Sequence, residues 1–172
     1  CSTCHTSDYV NNFYQQYDDF VILYNEKFGK PGTAIMEALL AAGANPDLMS
    51  GDGSSSALSL ASSNGDLSTM KVLIGGGGQV DLRMGGISGQ RTALIIAAIS
   101  GQRDAVNLLL DSKASIDAKS DSWGTALLAA ACQGNSDVVR TLVHRGANVN
   151  VTSNSRGGAR TAVECTALRA NP

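Results

Sequence analysis

At 172 residues, with 43% hydrophobic and 16% charged side chains, the chain suits one domain and is able to bury a core. A formal net charge of −2 and a pI near 5.6 argue against a general nucleic-acid binder. The longest apolar runs, such as Ala126 to Cys132, have about seven residues, so none spans a membrane.

Residues 1–7, CSTCHTS, form an N-terminal segment with the chain's one chemical motif. Cys-x-x-Cys-His is the string through which c-type haem is attached, with thioethers from Cys1 and Cys4 and His5 as an axial ligand. A second axial ligand would come from His144, Met36, Met49 or Met70. A Cys1–Cys4 disulfide, links to another chain and free thiols are the plainer readings, and a lipid on Cys1 is a further one. Zinc lacks an obvious fourth ligand beside Cys1, Cys4 and His5, so no metal site is expected.

Residues 8–28 hold every Tyr and Phe of the chain. Val10, Phe13, Tyr17, Phe20 and Tyr24 recur at alternating spacings of three and four, which lines one face of a helix. Ser7 is its candidate N-cap and Gly29-Lys30-Pro31 its stop. An aromatic stripe of this kind serves either to cover the open end of a neighbouring unit or to meet a partner or second copy. Thr33 then caps a helix over 33–42 that closes at Gly43, so residues 8–46 read as an N-terminal helix plus a degenerate first unit.

From here the chain repeats itself, over 47–80, 81–116 and 117–149, with a partial copy in 150–172. The second unit places helices near Ser56 to Asn64 and Asp66 to Ile74. Its close, Gly75 to Gly78, reads as a helix cap, because a phosphate cradle would need a following Gly-Lys-Ser/Thr. The clearest copy is GTALLAAACQGNSDVVRTLVHRGANVN, from Gly124 to Asn150. Its first apolar pattern ends at Gly134, and Val138 with Leu142 and Val139 with Val143 then lie four apart on a second helix. Gly146 suits the left-handed residue past that helix, and Asn148 to Asn150 read as an extended exit. Ser56, Thr92 and Thr125 are followed eighteen residues later by Ile74, Leu110 and Val143, and seven after those by Asp81, Asp117 and Asn150. The closing positions 40, 74, 110 and 143 are 34, 36 and 33 residues apart.

These residues resemble the ankyrin repeat, with its T-P-L-H-x-A-A-x-x-G opening, its L-L-L-x-x-G-A-x-V-N close and its period of roughly 33 residues. The resemblance covers about residues 20–167, and the wording GTALLAAACQGN is similar to long ankyrin arrays of filamentous fungi. It implies an all-α fold, an ankyrin-repeat α-solenoid of helix-turn-helix repeats with short β-turn fingers, here preceded by a long aromatic-rich helix. The family's proline is Ala57, Ala93, Ala126 and Ala162, and its histidine is Ser59, Ile95, Leu128 and Glu164. Losing that histidine removes a polar ladder between repeats and predicts more reliance on apolar packing. Lys113 stands where Gly43, Gly77 and Gly146 stand, so repeat three is expected to close differently. Cys132 and Cys165 fall in adjacent first helices but three residues out of register, and no bond is expected between them. His144, near a helix end, suits a capping or surface role.

What the resemblance implies about function is partner recognition without catalysis, through the fingers and the adjoining helix face. The fingers are Asp47 to Ser55, Asp81 to Arg91, Asp117 to Gly124 and Asn150 to Arg160. Arg83, Arg91, Arg156 and Arg160 make this edge basic, with Ile87 between two of them and Trp123, the lone tryptophan, at a finger base. An acidic or phosphorylated protein suits those arginines, and Trp123 is the hot-spot candidate. No catalytic set phases onto one face. Two alternatives stand beside this reading: a self-assembling subunit whose unlike ends stack, and a haem-bearing electron carrier through Cys1, Cys4 and His5. The chain opens on Cys and the fifth copy stops before a second helix, which fits a fragment of a longer array or a processed mature protein. Localisation stays open: cytoplasmic in the first case, extracellular or periplasmic in the second.

Overall fold

The computed structural model describes residues 30–85, 90–153 and 161–170, so the aromatic stripe of 8–28 lies outside the described residues. Among them are eight helices: α1 (Lys30–Ala41), α2 (Ala57–Asn64), α3 (Leu67–Gly75), α4 (Ala93–Ile99), α5 (Arg103–Asp111), α6 (Ala126–Gln133), α7 (Ser136–His144) and α8 (Ala162–Ala170). The chain divides into one unit ending at Gly43, which contains α1, and a second running from Ala44. In the first unit, α1 begins at Lys30 and not after Thr33. Pro31 is no obstacle, because the first turn of a helix needs no N–H from it.

In the second unit each repeat is a helix pair joined by a two- or three-residue turn. The first helices α2, α4, α6 and α8 pack in series, and the second helices α3, α5 and α7 form a parallel series beside them. Each first helix starts the same way. Ser56, Thr92 and Thr125 sit in extended conformation and accept a hydrogen bond from the backbone N–H three residues on, which satisfies a donor the helix cannot satisfy itself. All three caps are buried, so each repeat begins inside the stack.

The middle of the stack explains its composition. Every residue from Ala126 to Ala131 is buried, as α6 has neighbours on three sides. Ile95 and Leu128, at the places where the family pattern has histidine, are among the largest fully buried side chains, in line with the expected apolar packing. The second helices are one-sided: α7 buries Val138 and Leu142 but leaves Val143 exposed, so only one of the two expected i, i+4 pairs reaches the core.

Polar ties between repeats lie elsewhere. Asn135 donates from Nδ2 to the carbonyls of Ala98 (2.8 Å) and Ile99 (2.9 Å), and Gln102 donates likewise to the carbonyl of Ser63 (3.2 Å). These side chains lie over Gly101 and Gly65, both with positive φ, where an added Cβ would come within 3.1 and 2.6 Å of them. A second ladder uses the acid that opens each finger. Asp47 accepts from the backbone N–H of Gln79 (2.8 Å), Asp81 from Ser115 (3.0 Å) and Asp117 from Asn148 (3.0 Å).

Two expectations need correction. Lys113 has φ of 70° yet closes repeat three as glycine closes its neighbours. Its N–H donates to Leu110 O (3.1 Å) and that of Ala114 to Leu109 O (2.9 Å), matching Gly146 to Val143 O and Ala147 to Leu142 O, both 3.0 Å. The hydrogen-bonded turn outweighs the left-handed penalty of about 1–2 kcal/mol. Lys113→Gly is therefore expected to stabilise the chain by about 0.5–1 kcal/mol, the relief being partly offset by a freer unfolded chain. The shift of the urea midpoint at unchanged slope reads this directly.

The second correction is a disulfide between Cys132 and Cys165, with Cα atoms 4.7 Å apart. Level helices at ordinary separation would keep the two cysteines apart. Cys132 is the seventh residue of α6 and Cys165 the fourth of α8, so the pair is level only if one helix is displaced by a turn. The alanine-rich surface of α6 also allows a close approach.

Candidate functional site

The fingers sit between one repeat's second helix and the next repeat's first. The first three close through antiparallel bridges: Met49 with Ser56, Met84 with Arg91, and Ser120 with Gly124. In the second finger Met84 and Arg91 exchange both backbone bonds, at 2.9 and 2.6 Å. The fingers also touch one another. Gly85 N–H donates to the carbonyl of Gly53 in the first finger (3.1 Å), and Arg83 Nη1 donates to the carbonyl of Lys119 in the third (3.2 Å).

The first finger is built around Asp52. Its carboxylate accepts from the hydroxyls of Ser50 (2.6 Å) and Ser54 (2.8 Å) and from the Ser54 N–H (3.1 Å). These donors, led by Ser50, favour the ionised form and pull the carboxyl from its ordinary 3.8 down to about 2. Because the folded value is the depressed one, its contribution is complete above about 3.8 and disappears as pH falls through about 2. The Asp52 carboxyl carbon is expected to titrate by NMR with a midpoint near 2, and Ser50→Ala to move that midpoint towards 3.8.

Trp123 occupies the turn between Ser120 and Gly124 and is half-buried. Gly124 has φ of 69°, and a Cβ there would lie 2.7 Å from Leu128 Cδ1, so glycine lets the third finger fold down over α6 without strain or displacement of Leu128. Arg83 is exposed, and its guanidinium also donates to Gln90 Oε1 (3.2 Å). Arg91 is half-buried, and its Nε has no partner among the described residues. The Arg83 bond to Lys119 thus ties the second finger to the one that carries Trp123. Ile87, Arg156 and Arg160 lie outside the described residues, as do Cys1, Cys4 and His5. His144 is exposed in the last turn of α7.

The chain resembles known proteins at the level of its repeats. A family model described as ankyrin repeats (3 copies) matches residues 27–120 and 58–153. The chain belongs to the ankyrin-repeat family. No curated protein matches it. Ankyrin repeats are generally protein–protein interaction modules, and the helix pairs and fingers above are the parts such a module presents. Among the described residues no helix is long and apolar enough to cross a membrane, and no three His, Cys, Asp or Glu side chains are grouped to hold a metal ion.

The two ankyrin ladders join residues a repeat apart, and their pairing is not evident from the sequence. The acids at 47, 81 and 117 recur seven residues after the closing positions 40, 74 and 110, which is the signal the sequence carries. Gln102 and Asn135, each just ahead of a second helix, carried a similar one. The Asn148 to Asn150 exit, expected to be extended, instead turns: Asn150 N–H donates to Asn148 Oδ1 (3.0 Å), a local bond that asparagine offers and extended backbone lacks.

Proposed function

We propose that this ankyrin stack is a non-catalytic recognition module that holds a protein partner along its finger edge, centred on Arg83 and Trp123. The observation that carries the reading is the set of bonds between fingers, Gly85 to Gly53 and Arg83 to Lys119. An edge ordered in advance loses little conformational freedom on binding, so contact free energy goes into affinity. Among the described residues only Nη1 of Arg83 is engaged, which leaves the rest of an exposed guanidinium to meet a carboxylate or phosphate in two-pronged fashion. Trp123, in the finger that Arg83 bonds, supplies half-buried apolar area, and the two residue types are those that dominate many interfaces.

The test is competitive capture from the protein's own source, comparing the wild-type chain with Trp123→Ala and Arg83→Ala. A specific partner is expected to be retained by wild type and lost tenfold or more by Trp123→Ala, about 1.4 kcal/mol or greater, with helicity unchanged. Arg83→Ala should weaken binding less at high salt than at low salt. Equal retention by all three chains would refute the assignment.

A further inference from the structure

Asn150-Val151-Thr152 reads Asn-x-Thr with a middle residue other than proline, the tripeptide that N-linked glycosylation requires. Triplets of this kind recur by chance. Two independent structural observations single this one out.

The first is what surrounds the asparagine. Asn150 and Thr152 are both exposed, and Asn150 lies in the turn that opens the fourth finger. Its backbone N–H donates to Asn148 Oδ1 (3.0 Å), which holds the residue in that turn.

The second is the Cys132–Cys165 disulfide, whose closed loop contains the triplet. Disulfides form and persist in oxidising compartments, and the secretory lumen of a eukaryotic cell combines that chemistry with N-glycan transfer. Closing the bridge takes two protons and two electrons from the thiols, which a disulfide-bearing oxidant accepts by exchange to become two thiols.

From this exposed triplet and the disulfide that encloses it we infer that Asn150 is an N-glycan acceptor and that the chain matures in an oxidising secretory compartment. In the transfer, the Asn150 amide nitrogen bonds to C1 of an oligosaccharide carried on a polyprenyl diphosphate. The C1–O bond breaks, the lipid diphosphate leaves with the electron pair, and the amide gives up one proton. Thr152, two residues on, supplies the hydroxyl by which the triplet is recognised.

The experiment is the intact mass of the full chain isolated from the cells that make it, unreduced, before and after a peptide-N-glycosidase. The expected result is a heavier chain that loses its glycan on treatment, with residue 150 recovered as aspartate and no free thiol at Cys132 or Cys165. Thr152→Ala should abolish the glycan while leaving helicity and the disulfide in place. A chain with unmodified Asn150 would overturn the inference, whether the disulfide is present or not, as would a glycan found only elsewhere.

Discussion

Removing the Cys132–Cys165 bridge, by reduction or by the paired change Cys132→Ala and Cys165→Ala, is expected to loosen α8 by about 3–4 kcal/mol. That figure is the chain entropy of a closed loop whose ends are 33 residues apart. The reason for a local effect is the architecture. A repeat stack is held by nearest neighbours, and among the described helices α8 packs chiefly on α6. Without the bridge α8 frays independently, while α2 to α7 keep their contacts. Hydrogen exchange separates the two outcomes. Amides of 165–167 should exchange up to several hundred-fold faster, on the order of the same free energy, and those of α4 and α6 should change little. Uniform acceleration through the stack would show that the bridge supports the whole fold.

Leu94→Ala should have the largest effect of any single truncation, about 2–5 kcal/mol, because it leaves a cavity in a helix with neighbours on both sides. Leu94 is fully buried in α4, which packs on α2, α5 and α6. Interior loss in a one-dimensional stack also uncouples what lies on either side. Denaturation of Leu94→Ala is therefore expected to broaden or split, with a reduced slope. Leu60→Ala is the control: Leu60 is 58% exposed, and its truncation should cost under about 0.5 kcal/mol. A sharp, parallel shift for Leu94→Ala would mean that the stack unfolds as one cooperative unit.

The architecture was legible because its cause is local and repeated. Ser56, Thr92 and Thr125 announce a cap, Gly65 and Gly134 a stop, and the period between them needs no tertiary knowledge. What escaped was set by how helices lie against one another. The Cys132–Cys165 contact depends on a one-turn offset that no count along the chain supplies. Lys113 shows a different limit: the residue announced a departure, but the hydrogen bonds of the turn imposed the common conformation on it. Asp47, Asp81 and Asp117 were visible as a pattern, yet their partners lie a repeat away. Of the finger edge, Arg83 and Trp123 could be placed in neighbouring fingers from spacing alone, whereas the bond from Arg83 to Lys119 that links those fingers could not.

The account rests most heavily on the finger edge as the surface that meets a partner, and hydrogen exchange of the complex tests it most directly. Once a partner has been recovered with the wild-type chain, its binding should protect amides in 81–85, 90–91 and 117–124 and leave the outer face of α7, around Asp137 and Arg140, exchanging as in the free chain. Protection confined to α5 and α7, with the fingers unchanged, would contradict it.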